Sequence, residues 1–375
     1  MIDKLIVEAP LNSLSLGQVS LNILKSLHKR GIKVYYCPIG QPDLSAHKIS
    51  EEFKLWLQTA QNSFLRGFNR KLLTYKIWHL NGSHMFPSDR RVLLTFHECD
   101  SGTQEEVNII KNTDKTFFCG QYSKEVFGDY GLENIDWFPL GYDKDAVFPT
   151  SRKFNEDGRI NWLLGGKCEF RKATYRLLNL WVKKYGLEPG QPWINDKKHF
   201  LHVAIANPFY NNPQLQQLHA QEMNKALNGK RYYNVQFYDW FQTNSQLNEL
   251  YNQIDIDITG MSMAESWNLV SFNVSCLGAW SIVLNATGHK SWATNENSIL
   301  VSPTSKVKGV DNIFFHENAA FSVGNFWNFT DEDFYDATTR AEKKVGQVNE
   351  QGKKLCEIFT YDKMTDDILF KIEKM

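Results

Sequence analysis

The segment from Asp255 to Ala293, DIDITGMSMAESWNLVSFNVSCLGAWSIVLNATGHKSWA, admits few folds. Apolar residues alternate at Ile254, Ile256 and Ile258, the spacing of a strand. A loop of small residues follows and holds one carboxylate, Glu265. A helix is expected from about Leu269 to Gly278, then a second strand over SIVLN from Ser281. Strand, loop, helix and strand make one turn of a parallel α/β sheet. The loop then lies at the carboxyl end of the first strand, where such sheets bind ligands. The first N–H groups of the helix have no partner within it and can hold a phosphate. A carboxylate beside an anion site fits a ligand that also carries hydroxyls, and a nucleotide sugar carries both.

Composition narrows the setting. A chain of 375 residues has room for two to three domains. Its 42 basic residues balance its 42 acidic ones, so no bulk attraction to nucleic acid or anionic membrane is expected. The cysteines at 37, 99, 119, 168, 276 and 356 form no C-x-x-C pair. Most sit in apolar patterns, as buried free thiols do in a reducing compartment. The opening MIDKLIVEAPLN carries Asp3 and Glu8 in too short an apolar run for a signal peptide. No apolar run approaches the roughly 18 residues of a spanning helix. The expectation is a soluble, cytoplasmic protein without a transmembrane segment.

Along the chain, LIVEAP at 4–9 reads as a strand and Asn12–Gly17 as a loop. A helix follows with Val19, Ile23, Leu24 and Leu27 on one face, stopped by Gly31, and Ile32–Cys37 is the next strand. From His47 to Arg70, Ile49, Phe53, Trp56, Leu57, Ala60 and Phe64 form one helical stripe that should pack on the sheet. Strands are expected at Tyr75–Leu80, near His79 and His84, and at Arg91–Phe96, which runs into His97-Glu98. Those two residues are no H-E-x-x-H zinc site, because position 101 is serine. Residues 115–149 give strand, helix, strand and a turn ending Phe148-Pro149, before a polar linker from Thr150 to Arg159. The second half opens with INWLLGGKCEFRKATY, a strand ending in Gly165-Gly166 with Lys167 and Lys172 beyond it. Two cations at the tip of a strand–loop–helix unit suit a diphosphate. Further strands are expected at His199–Ala206 and Val235–Phe237, and helices over 213–228, Ser245–Tyr251, 331–349 and 352–373. Asp255-Ile-Asp257 has the form of a D-x-D metal motif, but its aspartates alternate with isoleucine in a strand, so no metal is expected. The irregular stretch after Ala293 has the character of a lid or an acceptor-side insertion.

AESWNLVSFNVSCLGAWSIV resembles the signature of retaining GT-B glycosyltransferases of the family 4 type, E-G-F-G-L-x-x-x-E-A-M-A-x-G-x-P-V. Glu265, Leu269 and Gly278 match it, while Ser266-Trp267-Asn268 replaces Gly-Phe-Gly and Asn273 replaces the second glutamate. LLTFHE resembles the family's T-x-H element. Pro139, Gly141, Asp143, Phe148 and Pro149 resemble the segment closing its N-terminal domain, and FTYDKMTDDILFKI its last helix. The resemblance implies two Rossmann-like, doubly wound α/β domains facing each other across a cleft. An acceptor-side domain would span 1–150, a nucleotide-sugar domain 151–335, and C-terminal helices 336–375, the last crossing back to the first domain. It implies His97 and Glu265 as catalytic residues beside the donor sugar. Gly17, Lys167, Lys172, Trp267, Asn268 and Leu269 would face the donor diphosphate, and Asn273, Tyr238 and Trp240 the nucleoside. Lys167 stands where the family usually has arginine and lacks the bidentate fork, with Arg171 as the stand-in.

The function implied is retaining, metal-independent transfer of a sugar from a nucleoside-diphosphate sugar to a carbohydrate or other hydroxyl acceptor, with no cofactor. Three alternatives stand beside it. One is a viral-type transferase acting on a hydroxylated base in DNA, to which the neutral charge lends nothing. Another is a different reaction of the same fold, such as nucleotide-sugar epimerisation or hydrolysis. The last is a non-catalytic nucleotide-sugar-binding module, suggested by Asn273 and the missing glycines.

Overall fold

The structure, a computed structural model, describes residues 2–151, 154–155, 158–194 and 197–375. Part of the linker expected over 150–159 therefore lies outside the described residues.

The N-terminal lobe is built on six strands: β1 (Lys4–Ala9), β2 (Lys33–Pro38), β3 (Leu73–Ile77), β4 (Arg90–Thr95), β5 (Lys115–Phe118) and β6 (Ile135–Trp137). All pair in parallel in the order β2-β1-β3-β4-β5-β6. The helices between them are α1 (Ser15–Lys29), α2 (Glu51–Arg66), α3 (Gln104–Lys111) and α4 (Gln121–Gly128). The α1 stripe of Val19, Ile23, Leu24 and Leu27 is buried as its spacing predicts. The second helix is shorter than the apolar stripe suggests. It starts only after Ser50, whose hydroxyl accepts the Phe53 N–H and so caps it.

The second lobe repeats the plan with β7 (Arg159–Gly165), α5 (Thr174–Tyr185), β8 (Lys198–Ala204), α6 (Pro213–Ala226), β9 (Val235–Phe237) and α7 (Asn244–Tyr251). It continues with β10 (Ile256–Asp257), α8 (Leu269–Cys276), β11 (Trp280–Leu284) and β12 (Ser298–Val301). Its parallel order is β12-β11-β10-β7-β8-β9, so the winding direction reverses between β7 and β10. That reversal opens a crevice at the carboxyl ends of these two strands. The irregular stretch after Ala293 folds into an antiparallel hairpin, β13 (Ser305–Lys308) and β14 (Asn325–Asn328). The chain ends in α9 (Asp331–Glu342), α10 (Glu350–Ile358) and α11 (Tyr361–Glu373). The expected pair of long terminal helices is thus three. Thr360 breaks the run, and its hydroxyl caps α11.

Contacts between the lobes surround the crevice. Helix α11 packs Met364, Ile368 and Ile372 into the same core as Leu5, Ile23 and Leu27. Arg30 donates to the Asp362 carbonyl at 2.8 Å and pairs with Asp366 at 2.7 Å. The hairpin docks on the β4–α3 loop, where Asp100 accepts from the Asn325 N–H at 2.7 Å and from Lys306 at 2.8 Å. At the opposite mouth, the Asn244 side chain meets the His47 ring at 3.1 Å, and the Asn244 N–H donates to the Ala46 carbonyl. The Ser266 hydroxyl donates to the His97 carbonyl at 3.1 Å between them.

The P-x-G-x-D segment acquires a physical role here. Asp143 accepts the Asp145 N–H and the Asn22 side chain, tying the interlobe turn to α1. A side chain at Gly141 would sit 2.2 Å from the Tyr361 nitrogen and 2.6 Å from the Thr360 carbonyl carbon. Neither backbone atom can yield without moving α11. Gly141→Ala is therefore predicted to cost about 1–3 kcal/mol of stability through overpacking, measured by denaturant unfolding. An unchanged midpoint would show that α11 does not need this close approach.

Candidate active site

A cavity of about 450 Å3 occupies the crevice between the lobes, within the ~300–1,000 Å3 typical of small-molecule sites. Its second-lobe wall comes from the loops after β7 and β10 and from the start of α8. The β7 loop turns at Gly166, whose φ of +88° suits glycine, and then presents Lys167, Arg171 and Lys172.

Glu265 sits at the centre. Its Oε2 accepts from Arg171 Nη1 at 3.0 Å, and its Oε1 accepts from Lys172 Nζ and, at 3.0 Å, from the Ser262 hydroxyl. Burial alone would raise the Glu265 pKa, but Lys172 and Arg171 outweigh it and hold the carboxyl well below its usual range. Arg171 also donates to the Ala264 carbonyl at 2.8 Å and pairs with Glu169 at 2.8 Å. Glu169 in turn pairs with Lys167 at 2.8 Å, whose ammonium lies over the Phe209 ring. Burial pushes Glu169 up, and Arg171 followed by Lys167 reverses that, leaving it below the usual carboxylate value. The loop therefore carries a chain of alternating charges, each buried group compensated by the next.

Helix α8 enters from the same loop. Asn268 has φ +68°, a left-handed conformation that asparagine tolerates where the family signature has glycine. Its Oδ1 accepts the Ser271 N–H, and its Nδ2 donates to His289 Nε2 at 3.1 Å. His289 Nδ1 lies 3.0 Å from the Leu284 carbonyl, so the neutral tautomer with hydrogen on Nδ1 satisfies both contacts. The N–H groups of Leu269 and Val270, ahead of the capped Ser271, remain at the helix start bordering the cavity.

Of the residues singled out from sequence, Glu265, Lys167, Lys172, Trp267, Asn268, Leu269, Asn273 and Trp240 all line this cavity. The Asn273 amide has no partner among the described residues. The Trp267 ring is buried against Phe272 and Phe359. Three expectations need correction. His97 does not line the cavity: its Nε2 meets the Ser101 carbonyl at 3.0 Å and its ring packs edge-on against Phe127. Side chains alternate along the extended segment after β4, so Phe96 and Glu98 reach the cavity and His97 points the other way. Tyr238 also turns away, with its hydroxyl 2.8 Å from His202, while Asp239, Trp240 and Phe241 form the wall. Gly17 is not on the lining either. It lets the Asn12 turn close over α1, since a Cβ there would lie 2.4 Å from the Asn12 carbonyl oxygen. Trp78, His79 and Glu98 line the cavity and Glu169 supports it without any motif that singles them out, and Arg171 stands in for Lys167. Counting by twos from Phe96 would have found Glu98.

Asp255 and Asp257 are structural. Asp255 accepts the Asn155 and Asn161 N–H groups, and Asp257 is fully buried and accepts the Thr259 N–H.

No family model matches the sequence, and no curated protein matches it. Solved structures do. Sucrose-phosphate synthase from Thermosynechococcus elongatus superposes with a TM-score of 0.66 at 10% identity, covering 99% of this chain and 98% of that one. An α,α-trehalose 6-phosphate synthase from Burkholderia multivorans gives 0.62 at 10% identity, covering 100% and 99%. Anabaena HepE in complex with UDP and glucose gives 0.63 at 12% identity, covering 99% and 100%. The fold is GT-B. At such identities the likeness establishes architecture, and these neighbours do not place the chain in family 4. Among the described residues no helix is long and apolar enough to cross a membrane.

His199 and His289 are both buried, and burial pushes each down to about 4. Unfolded, both would take up a proton near 6.5. Their contribution to stability is thus full above pH 6.5 and lost as pH falls toward 4. The slope should approach about 2.7 kcal/mol per pH unit at its steepest, one proton per histidine. Denaturant midpoints from pH 7.5 to 4.5 test this, and His289→Gln should lower the slope by about 1.4 kcal/mol per pH unit, half of the share of these two histidines. A flat profile would contradict the neutral, buried assignment.

Proposed function

We propose that the chain is a retaining glycosyltransferase that moves a hexose from a nucleoside-diphosphate donor, UDP-linked by preference, to an acceptor hydroxyl. One observation carries the reading: Lys167, Arg171, Lys172, Glu265 and the start of α8 converge on a single interlobe cavity at the topological switch point. The GT-B neighbours include HepE in complex with UDP-glucose, which supports the donor class.

The chemistry follows from charge. As the glycosidic bond to the diphosphate breaks, negative charge gathers on the leaving oxygen. Lys172 and the α8 N–H groups stabilise it from positions fixed before the donor arrives. Glu265 uses about three of its roughly four acceptor positions on Arg171, Lys172 and Ser262, leaving one for a hydroxyl of the donor sugar. Trp240, Asn244 and Asn273 line the nucleoside end. Asn273, unlike the usual glutamate, offers the ribose a neutral hydrogen bond. Attack and departure occur on one face of the sugar, with the proton of the acceptor hydroxyl passing to the leaving phosphate. No protein nucleophile and no metal enter the scheme. The family 4-type match at Glu265, Leu269 and Gly278 supports retention, and the six free thiols support a reducing, cytoplasmic setting.

Lys172→Ala is predicted to lower kcat by ~10²–10³, the effect of losing one donor to the developing charge, about 3 kcal/mol. Release of UDP from UDP-glucose in the presence of acceptor measures it. Wild-type turnover in the variant would remove Lys172 from the mechanism.

A further inference from the structure

Charge is unevenly divided between the two walls of the cavity. Lys167, Arg171 and Lys172 all belong to the C-terminal lobe, and each is already paired with Glu169 or Glu265. The facing N-terminal wall includes the Asn12–Leu14 turn, the start of α1, Trp78, His79, Phe96 and Glu98. Among its described residues this wall has no lysine or arginine. Lys76, on β3 behind it, is 4% exposed and is spent on Glu8 at 3.2 Å and on the Gly82 and Met85 carbonyls. On the hairpin side, Lys306 is held by Asp100 at 2.8 Å. His79 faces the cavity enclosed by both lobes, and that enclosure lowers its pKa toward the neutral imidazole.

Glu98 is thus the wall's one carboxylate among the described residues. Its ion-pair partner is Arg171 at 3.9 Å, too long for a hydrogen bond, so its oxygens keep acceptor capacity. Trp78 and Phe96 add aromatic surface, against which the apolar face of a ring can lie. An acceptor carrying a phosphate would meet on this wall a carboxylate of like charge, and Arg171, the cation paired with it, is already engaged by Glu169 and Glu265, which makes a device for rejection.

We infer that the acceptor is an uncharged, hydroxyl-bearing ring compound, with Glu98 accepting a hydrogen bond from one of its hydroxyls and excluding phosphorylated acceptors. The inference rests on the glycosyl-transfer reading and narrows it. It also separates this chain from those neighbours whose names carry a sugar phosphate as product.

The test uses the full chain saturated with UDP and titrated with glucose and with glucose 6-phosphate, read by melting temperature and calorimetry. Glucose should bind at least tenfold more tightly than its phosphate ester. Glu98→Gln should shrink that ratio while still binding glucose, and Glu98→Lys should invert it. Equal or tighter binding of the phosphate ester by the wild type, or binding of neither sugar, overturns the inference, as does an unchanged ratio in Glu98→Gln. The melting shift produced by UDP alone is scored separately. A chain that binds UDP yet prefers the phosphate ester loses this inference and keeps the transferase reading, whereas one that ignores UDP loses both.

Discussion

The grip of Arg171 and Lys172 on the Glu265 carboxylate organises everything around it. Three charges this deeply buried would each be costly alone, and the arrangement is stable because every one has an opposite neighbour and a hydrogen bond. Glu169 extends the chain to Lys167 and closes it at the surface of the cavity. The consequence for function is rigidity. The loop after β10 cannot drift, because Arg171 also holds its Ala264 carbonyl, the Arg171 carbonyl accepts the Met263 N–H, and Gly288 N–H holds the Glu265 carbonyl. Dipoles and cations fixed in this way spend no free energy on reorienting when charge develops.

That loop also joins the lobes. Ser266 donates across to the His97 carbonyl, and the buried Trp267 packs on Phe359 just before α11 turns back to the N-terminal lobe. Ser266-Trp267-Asn268, standing where the family 4-type signature has Gly-Phe-Gly, therefore serve the lobe interface as well as the cavity wall. Asn268 keeps the left-handed turn that a glycine would allow and adds a cap to α8 that glycine lacks. This is why departures from the usual pattern leave the helix start pointing at the cavity.

Much of the fold was legible because periodicity and punctuation agreed. The α1 stripe, the Gly165-Gly166 turn and the apolar strands of both sheets marked two parallel α/β units, and the turn from Asp143 to Phe148-Pro149 marked their junction. In the site, Lys167, Lys172, Glu265 and Asn273 could be placed because each occupies the end of a strand or the first turns of a helix. His97 could not, since past the last ladder bond of β4 only the parity of the extended chain decides which side chain faces the crevice, and a motif match is blind to parity. Arg171 was legible only as a stand-in for Lys167, because its partner Glu265 lies 94 residues away and such pairing is a property of the folded sheet rather than of any local pattern. Tyr238 faced the wrong way because the short β9 leaves its continuation to be set by contact with His202.

The charged loop and the tip of α8 are proposed to receive a pyrophosphate, and a crystal structure of the chain with UDP bound decides the matter. The β-phosphate is expected within about 3 Å of Lys172 Nζ and of the Leu269 or Val270 N–H, with Glu265 still held by Arg171. A diphosphate bound elsewhere, with Lys172 still engaged only by Glu265, would contradict it.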